Sequence, residues 1–145
     1  MRLFTIGYAQ KSAREFFAVL ERNKIRRLID IRANNRGQLA AFTKQFDLEF
    51  FLQAIAGIRY AHDLSLAPSQ DLLKRYRAKQ LDWAGYEVEF KALLAQRRAL
   101  RRFDMGALKQ ATVLLCSEPT PAHCHRRLVA QGLKRLHAGL EVVDL

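Results

Sequence analysis

This chain predicts a single α/β domain spanning residues 1–145: three layers, with a mostly parallel sheet of about five strands and helices on both faces. Three observations carry that expectation. Short apolar, β-branched runs alternate with longer stretches of helical period along the whole sequence, the pattern of strands joined by crossover helices. The 145 residues are enough for one hydrophobic core. Half of them are apolar and three are proline, and no internal repeat is visible, so disorder and solenoid architectures are excluded.

The elements follow in order. Leu3 to Ile6 reads as a buried strand ended by Gly7. Ser12 with Glu15 three residues on is a capping box, and Phe16, Phe17, Val19 and Leu20 make the apolar face of a helix that Asn23 can stop. Ile25 to Ile31 is a second strand carrying Asp30 and Arg32 at its end, and Asn34-Asn35-Arg36-Gly37 breaks it as a loop. Asp47 to Ala56 has helical spacing and ends at Gly57; Ile58 to Ala61 is a third strand with His62 and Asp63 at its exit. Helices are expected from Ser69 or Gln70 to Lys79, and from Asp82, a natural N-cap, to about Leu100. Thr112 to Leu115 is a fourth strand, Pro121 to about His137 a last helix capped by Thr120, and Leu140 to Val143 a final strand.

In a parallel sheet every strand's carboxyl end lies on one rim. Gly7 with Tyr8, Asp30 with Arg32, His62 with Asp63, and Cys116 to Glu118 are therefore expected to converge there, where α/β proteins bind ligands. The segment from Cys116 to Arg127 is the richest in chemistry: it holds both cysteines, His123, His125, Glu118, Arg126 and Arg127. A helix start at Thr120 would present free backbone N–H groups and the positive end of its dipole to an anion, with Arg126 adding a planar cationic fork. The competing reading pairs Arg126 with Glu118 or Asp30 as a structural ion pair. Cys124 reads either as a small buried hydrophobe or as a thiolate favoured by the helix start and nearby cations. Glu118 is the carboxylate best placed for acid/base work, and Cys116 and Asp30 complete the catalytic candidates. Arg32, Cys124, His125, Arg126, Gly7, Tyr8 and His62 are the candidates for substrate or anion binding. Arg126 stands ten residues after Cys116, so the Cys-x5-Arg loop of tyrosine phosphatases is absent. Zinc accepts these residue types, but no Cys-x2-Cys knuckle exists, and neither a metal nor another cofactor is assigned.

The net charge of +11 points to polyanions, with arginine doublets spread along the chain rather than interleaved with aromatics. Nucleic acid or a phosphorylated small molecule is the expected partner; no apolar run reaches membrane-spanning length, and oligomeric state is left open. With no apolar leader segment at its start, a cytoplasmic location is expected.

Several stretches together resemble one family. Thr5-Ile6-Gly7-Tyr8 with Glu15-Phe16, the Leu28-Ile29-Asp30-Ile31-Arg32 strand, Phe42-Thr43-Lys44, Gly57 to His62, Leu66-Ala67-Pro68-Ser69 and Trp83-x-x-Tyr86 fall in order. Leu115-Cys116-Ser117-Glu118 with His123-Cys124-His125-Arg126 closes the set. The chain is similar to the prokaryotic domain-of-unknown-function 488 family, a resemblance that implies one α/β domain and no established reaction. It also singles out Gly7, Asp30, Arg32, His62, Cys116, Glu118, Cys124, His125 and Arg126. Tyr8 stands where a histidine is common, and Ala33-Asn34-Asn35-Arg36 replaces a proline-containing segment, as in a subgroup with Asn-Asn there.

Three functions compete. The first is an enzyme acting on a nucleotide, nucleic acid or other phosphate-bearing substrate at the rim. The second is a binding module without turnover. The third is a thiol or metal-binding protein that uses Cys116 and Cys124. No carboxylate cluster of the two-metal nuclease type is present.

Overall fold

A computed structural model describes residues 1–36, 40–118 and 120–145. Gly37 of the expected loop and Pro119 of the chemistry-rich segment lie outside them. Five strands form one sheet: β1 (Arg2–Gly7), β2 (Arg27–Asp30), β3 (Arg59–His62), β4 (Thr112–Cys116) and β5 (Glu141–Asp144). Their order is β3-β2-β4-β1-β5, and all four pairings are parallel. The expected mostly parallel sheet is thus wholly parallel among the described residues.

Period-2 alternation along the central strands divides the core in two. Phe4, Ile6, Leu28, Val113 and Leu115 face one way, onto α1 (Ala13–Arg22) and α2 (Gln45–Ala56). Leu3, Ile29 and Leu114 face the other, onto α3 (Gln70–Arg77), α4 (Trp83–Gln96), α5 (Ala99–Arg102) and α6 (His125–Leu136). β4 is buried along its whole length, as the centre of a covered parallel sheet must be. Among the described residues, no helix is long and apolar enough to cross a membrane.

Local signals explain most boundaries. The capping box forms as expected: Glu15 N–H donates to Ser12 Oγ at 3.1 Å, and Ser12 N–H to Glu15 Oε2 at 2.9 Å. Gly57 ends α2 in the left-handed region (φ 62°), where a Cβ would be strained. Ser69 and Asp82 cap α3 and α4 through Leu72 N and Gly85 N.

Four boundaries differ from expectation. β2 begins at Arg27 rather than Ile25, because Ile25 N–H closes α1 against the Leu20 carbonyl at 3.0 Å. A 3-10 turn at Ala41–Thr43 leads directly into α2, which starts at Gln45 instead of Asp47. The long helix stops at Gln96, and Arg98, at φ 53°, turns the chain into α5; Arg97 holds the break by donating to the carbonyls of Leu64, Ser65 and Ala67. Most consequential, α6 starts at His125 and not at Pro121: Cys124 is its extended N-cap (φ −132°, ψ 137°), and no side chain caps it. The first turn expected at 121–124 is instead an irregular loop that sinks Cys124 into the core.

Gly7 faces Cys116 across the β1–β4 ladder. A Cβ on it would lie 1.5 Å from the Glu118 carbonyl oxygen and 2.7 Å from Arg126 Nη1. Backbone cannot yield as a flexible side chain does, so Gly7→Ala should destabilise the fold by about 3 kcal/mol. Thermal unfolding monitored by circular dichroism checks this, and an unchanged Tm would contradict the close approach.

Candidate active site

The connectivity creates a crevice at the end of β4. Chains leaving β1 and β2 enter helices on one face, whereas the chain leaving β4 enters α6 on the other. β4 lies between β1 and β2, so its carboxyl end is flanked on both sides by strands whose connections turn away. That is a topological switch point, the place where open α/β sheets leave room for ligands. Cys116 is the last residue of β4 and sits in that crevice.

Both cysteines are buried and unoxidised, and they come together: Cys116 Sγ, Cys124 Sγ and a His125 ring nitrogen all lie within 4.8 Å of one another. Burial alone would raise the Cys116 thiol. The hydrogen bond from Cys124, the backbone N–H groups of Ser117 and Glu118, and the Arg126 charge outweigh it and hold the thiol below its ordinary value. Cys124 moves the other way, raised first by its bond to Cys116 and then by burial. The two sulfurs therefore titrate as one coupled pair, in which these contacts favour the anion at Cys116 over Cys124. Tyr86 faces the two sulfurs, and its phenol is pushed up by burial and then by their charge, so it remains a hydrogen-bond donor.

His125 is fixed from behind. Its Nε2 lies 2.7 Å from the Ile31 carbonyl, an acceptor, so Nε2 carries a hydrogen and donates it there. Cys116 Sγ is 3.4 Å from Nδ1 and 3.9 Å from Nε2. Two such similar distances put the sulfur broadside to the ring, off the in-plane axis of either nitrogen. Phe90 meets the same ring edge-on at 5.5 Å.

Arg126 has no exposed surface. Its Nη1 donates to the Glu118 carbonyl at 2.5 Å and lies 3.8 Å from Cys124 Sγ, while Nε and Nη2 have no acceptor among the described residues. The guanidinium is thus neither the ion pair with Asp30 or a Glu118 carboxylate nor a surface anion fork. It lies beneath the sulfurs, and its contact with Glu118 is to the backbone.

Asp30, fully buried, accepts from Arg32 three times: backbone N–H at 3.1 Å, Nε at 2.9 Å and Nη2 at 2.8 Å. Tyr60 O–H adds a fourth bond at 2.7 Å and itself accepts from Asn35 at 3.1 Å. Arg32 Nη2 also donates to the Thr43 carbonyl at 2.7 Å, and the guanidinium lies 5.3 Å from the centre of the Tyr8 ring. Nε and Nη2 are therefore spent, and among the described residues the Nη1 hydrogens have no acceptor. Asp30 positions Arg32 and has no free lone pair aimed at a substrate.

Above the sulfurs is a pocket of about 130 Å³. Cys116, Cys124, His125, Glu118 and Arg32 line it, joined by Asn34, Arg77 and the rings of Tyr76, Trp83, Tyr86 and His123. Glu118 is exposed at its lip. Gly7, Tyr8, Asp30 and Arg126 support these residues from behind. His62 accompanies them only indirectly: its Nε2 is 2.8 Å from the Arg32 carbonyl, and its side chain opens onto a neighbouring cleft with Asn35 and Gln45.

Sequence reasoning missed Asn35, Tyr60 and Thr43 as partners of Asp30 and Arg32, and Tyr76, Arg77 and His123 as pocket walls. Trp83 and Tyr86 enter the sequence analysis only through the family resemblance, with no role in a site. Their signal was present in the Phe42-Thr43-Lys44 and Trp83-x-x-Tyr86 stretches, whose spacing has no meaning until the sheet brings them to the rim.

Fold and site together define a doubly wound α/β protein with a thiol-bearing pocket at the switch point. The family model described as domain of unknown function DUF488 matches residues 12–133, and the chain belongs to that family. No curated protein and no solved structure matches it.

Removing one partner of the buried Asp30–Arg32 pair leaves an uncompensated charge in the interior. Asp30→Ala should cost about 3–5 kcal/mol in urea unfolding, whereas the exposed Glu118→Gln should leave stability unchanged. Equal stability of both variants would contradict the positioning role of Asp30.

Proposed function

We propose that this protein is an enzyme that uses the Cys116 thiolate on a nucleotide, nucleic acid or other phosphate-bearing substrate in the rim pocket. One observation carries the proposal: a sulfur at the floor of a switch-point pocket, ringed by donors that favour its anion. Cys124 S–H, the Ser117 and Glu118 amides and the Arg126 charge surround Cys116. Merely structural cysteines sit among apolar groups and stay neutral.

The roles follow from position. Arg32, with Nη1 free, orients the anionic group of the substrate, and Arg77 adds a second charge at the wall. Cys116 Sγ attacks an electrophilic centre; a bond to sulfur forms as the leaving group departs with its electron pair. Glu118 at the lip supplies the proton that the leaving group takes and recovers it from the water that then displaces the enzyme sulfur. His125, with its nitrogen axes turned away from Cys116, acts as a wall and not as the general base.

The proximity of two cysteines and a histidine also favours a second reading, a metal site. The broadside sulfur counts against it, since the His125 ring would have to turn for Nδ1 and Cys116 to share an ion.

Thiolate fraction rises with pH, so a lowered thiol pKa moves the reactive midpoint to lower pH. Iodoacetamide should alkylate Cys116 with a midpoint below the usual thiol value near 8.5, read by mass spectrometry across pH. Arg126→Met should move that midpoint upward, and Cys116→Ser should abolish fast alkylation. A wild-type midpoint above 8.5 would overturn the proposal. So would stoichiometric zinc in the purified protein that is lost in Cys124→Ser, because the sulfurs would then be ligands.

A further inference from the structure

Four rings form an offset stack along the pocket wall. Phe90 and Tyr86 lie 6.0 Å apart at 21°, Tyr86 and Trp83 5.2 Å at 20°, and Trp83 and His123 5.1 Å at 19°. Phe90 is fully buried, Tyr86 nearly so, Trp83 half-buried and His123 exposed, so the ladder runs from the core to the surface. The inner three rings belong to α4 and are held by packing. The last belongs to the irregular loop before α6, and among the described residues no hydrogen bond holds its imidazole. One face of Trp83 is therefore covered by a ring that can leave at the cost of a single stacking contact.

We infer that the outer face of Trp83 is a stacking platform for a nucleobase, that His123 occupies it as a placeholder, and that the pocket takes the base of a single nucleotide unit. The inference deepens the reading of the rim pocket as a substrate site and rests on it. Three features select this ligand class. A π-face is what every nucleobase offers to an aromatic ring. The cations at the same pocket, Arg32 and Arg77, suit the attached phosphate. The Asn34 amide, paired with Gln70 at both ends, keeps its second N–H hydrogen and second lone pair for a base edge. A space of about 130 Å³ is well below the range for drug-sized ligands and admits one ring, not a stacked base pair. A base can therefore enter only from a free nucleotide or from an unpaired or extruded position in a strand.

Trp83 is the chain's sole tryptophan, so its emission reports the platform directly. The experiment titrates the protein with adenosine, guanosine, cytidine and uridine 5′-monophosphates, excited on the red edge of the indole band. The corresponding nucleosides, inorganic phosphate, and single-stranded and duplex oligonucleotides are the other arms. Saturable quenching by at least one monophosphate and none by phosphate is expected. His123→Ala uncovers the indole and should tighten that binding roughly two- to tenfold. Trp83→Leu, followed by protection of Cys116 from iodoacetamide, should weaken it roughly tenfold. Preference for the mononucleotide or for the single strand identifies the source of the base.

No quenching in either wild type or His123→Ala would overturn the platform, as would equal quenching by phosphate alone. Cys116 alkylation measured without nucleotide is independent of these results. A reactive Cys116 with no nucleotide response sinks the platform alone; an inert Cys116 with a clear response sinks the thiol chemistry alone.

Discussion

The Arg126 guanidinium, with no surface of its own, is wedged between the end of β1, the loop after β4 and the start of α6. Most of the site follows from where it lies. Its Nη1 draws in the Glu118 carbonyl, which can approach β1 only because Gly7 has no side chain. Holding that carbonyl curls the chain after Cys116 so that the amides of Ser117 and Glu118 turn toward the sulfur. Burying Arg126, the second residue of α6, also explains why the helix starts late. Cys124 must drop to the level of Cys116, and the extended conformation of the N-cap lets it do so.

A second rigid unit meets the first from across the crevice. Asp30, Tyr60 and Asn35 form a chain of donors and acceptors in which every bond is made, and its product is a guanidinium with one fixed, unspent edge. β2 and β4 are neighbours in the sheet, paired from Arg27 with Thr112 to Asp30 with Leu115. The distance between Arg32 and Cys116 is thus set by a hydrogen-bonded ladder and not by loops. Arg32, two residues beyond the end of β2, and Cys116, the last residue of β4, are thereby held at adjacent strand ends, an arrangement that suits the substrate site proposed above.

The fold was largely legible because it is written in local patterns. Capping residues at Ser12, Ser69 and Asp82 and the left-handed Gly57 act within a few residues of themselves, and the alternation of Leu28 with Ile29 or Val113 with Leu114 assigns faces directly. The convergence of Gly7, Asp30, His62 and Cys116 on one rim follows from parallel connectivity alone, and their register bears this out. What was not legible depends on contacts made across the chain. Thr120 followed by Pro121 has the local form of a helix start, but the pull of the buried Cys124 and Arg126 overrides it. Arg126 itself looks from sequence like a surface cation; only the packing of three elements turns it inward. The aromatic ladder joins α4 to a loop some forty residues away, and neither segment shows the other's presence.

The arrangement runs against what stability alone would select. A buried guanidinium with two donors lacking acceptors costs about 1–3 kcal/mol for each unsatisfied group. A well-packed apolar side chain in place of a buried ion pair is often neutral or better. A thiol in contact with that cation, a second thiol and an imidazole beside it, and an exposed ring stacked over an indole add nothing a core needs. Local rules are broken together in one crevice and kept nearly everywhere else, as Ser12, Gly57 and the fully bonded Asp30 show. Such concentrated departures mark the part of a fold shaped by what it must bind or react with. In the proposed reading each of them has a counterpart in the chemistry: the cation in a sulfur anion, the spent edge of Arg32 in the orientation of its other one, and the covered face of Trp83 in a ring that can be exchanged for another.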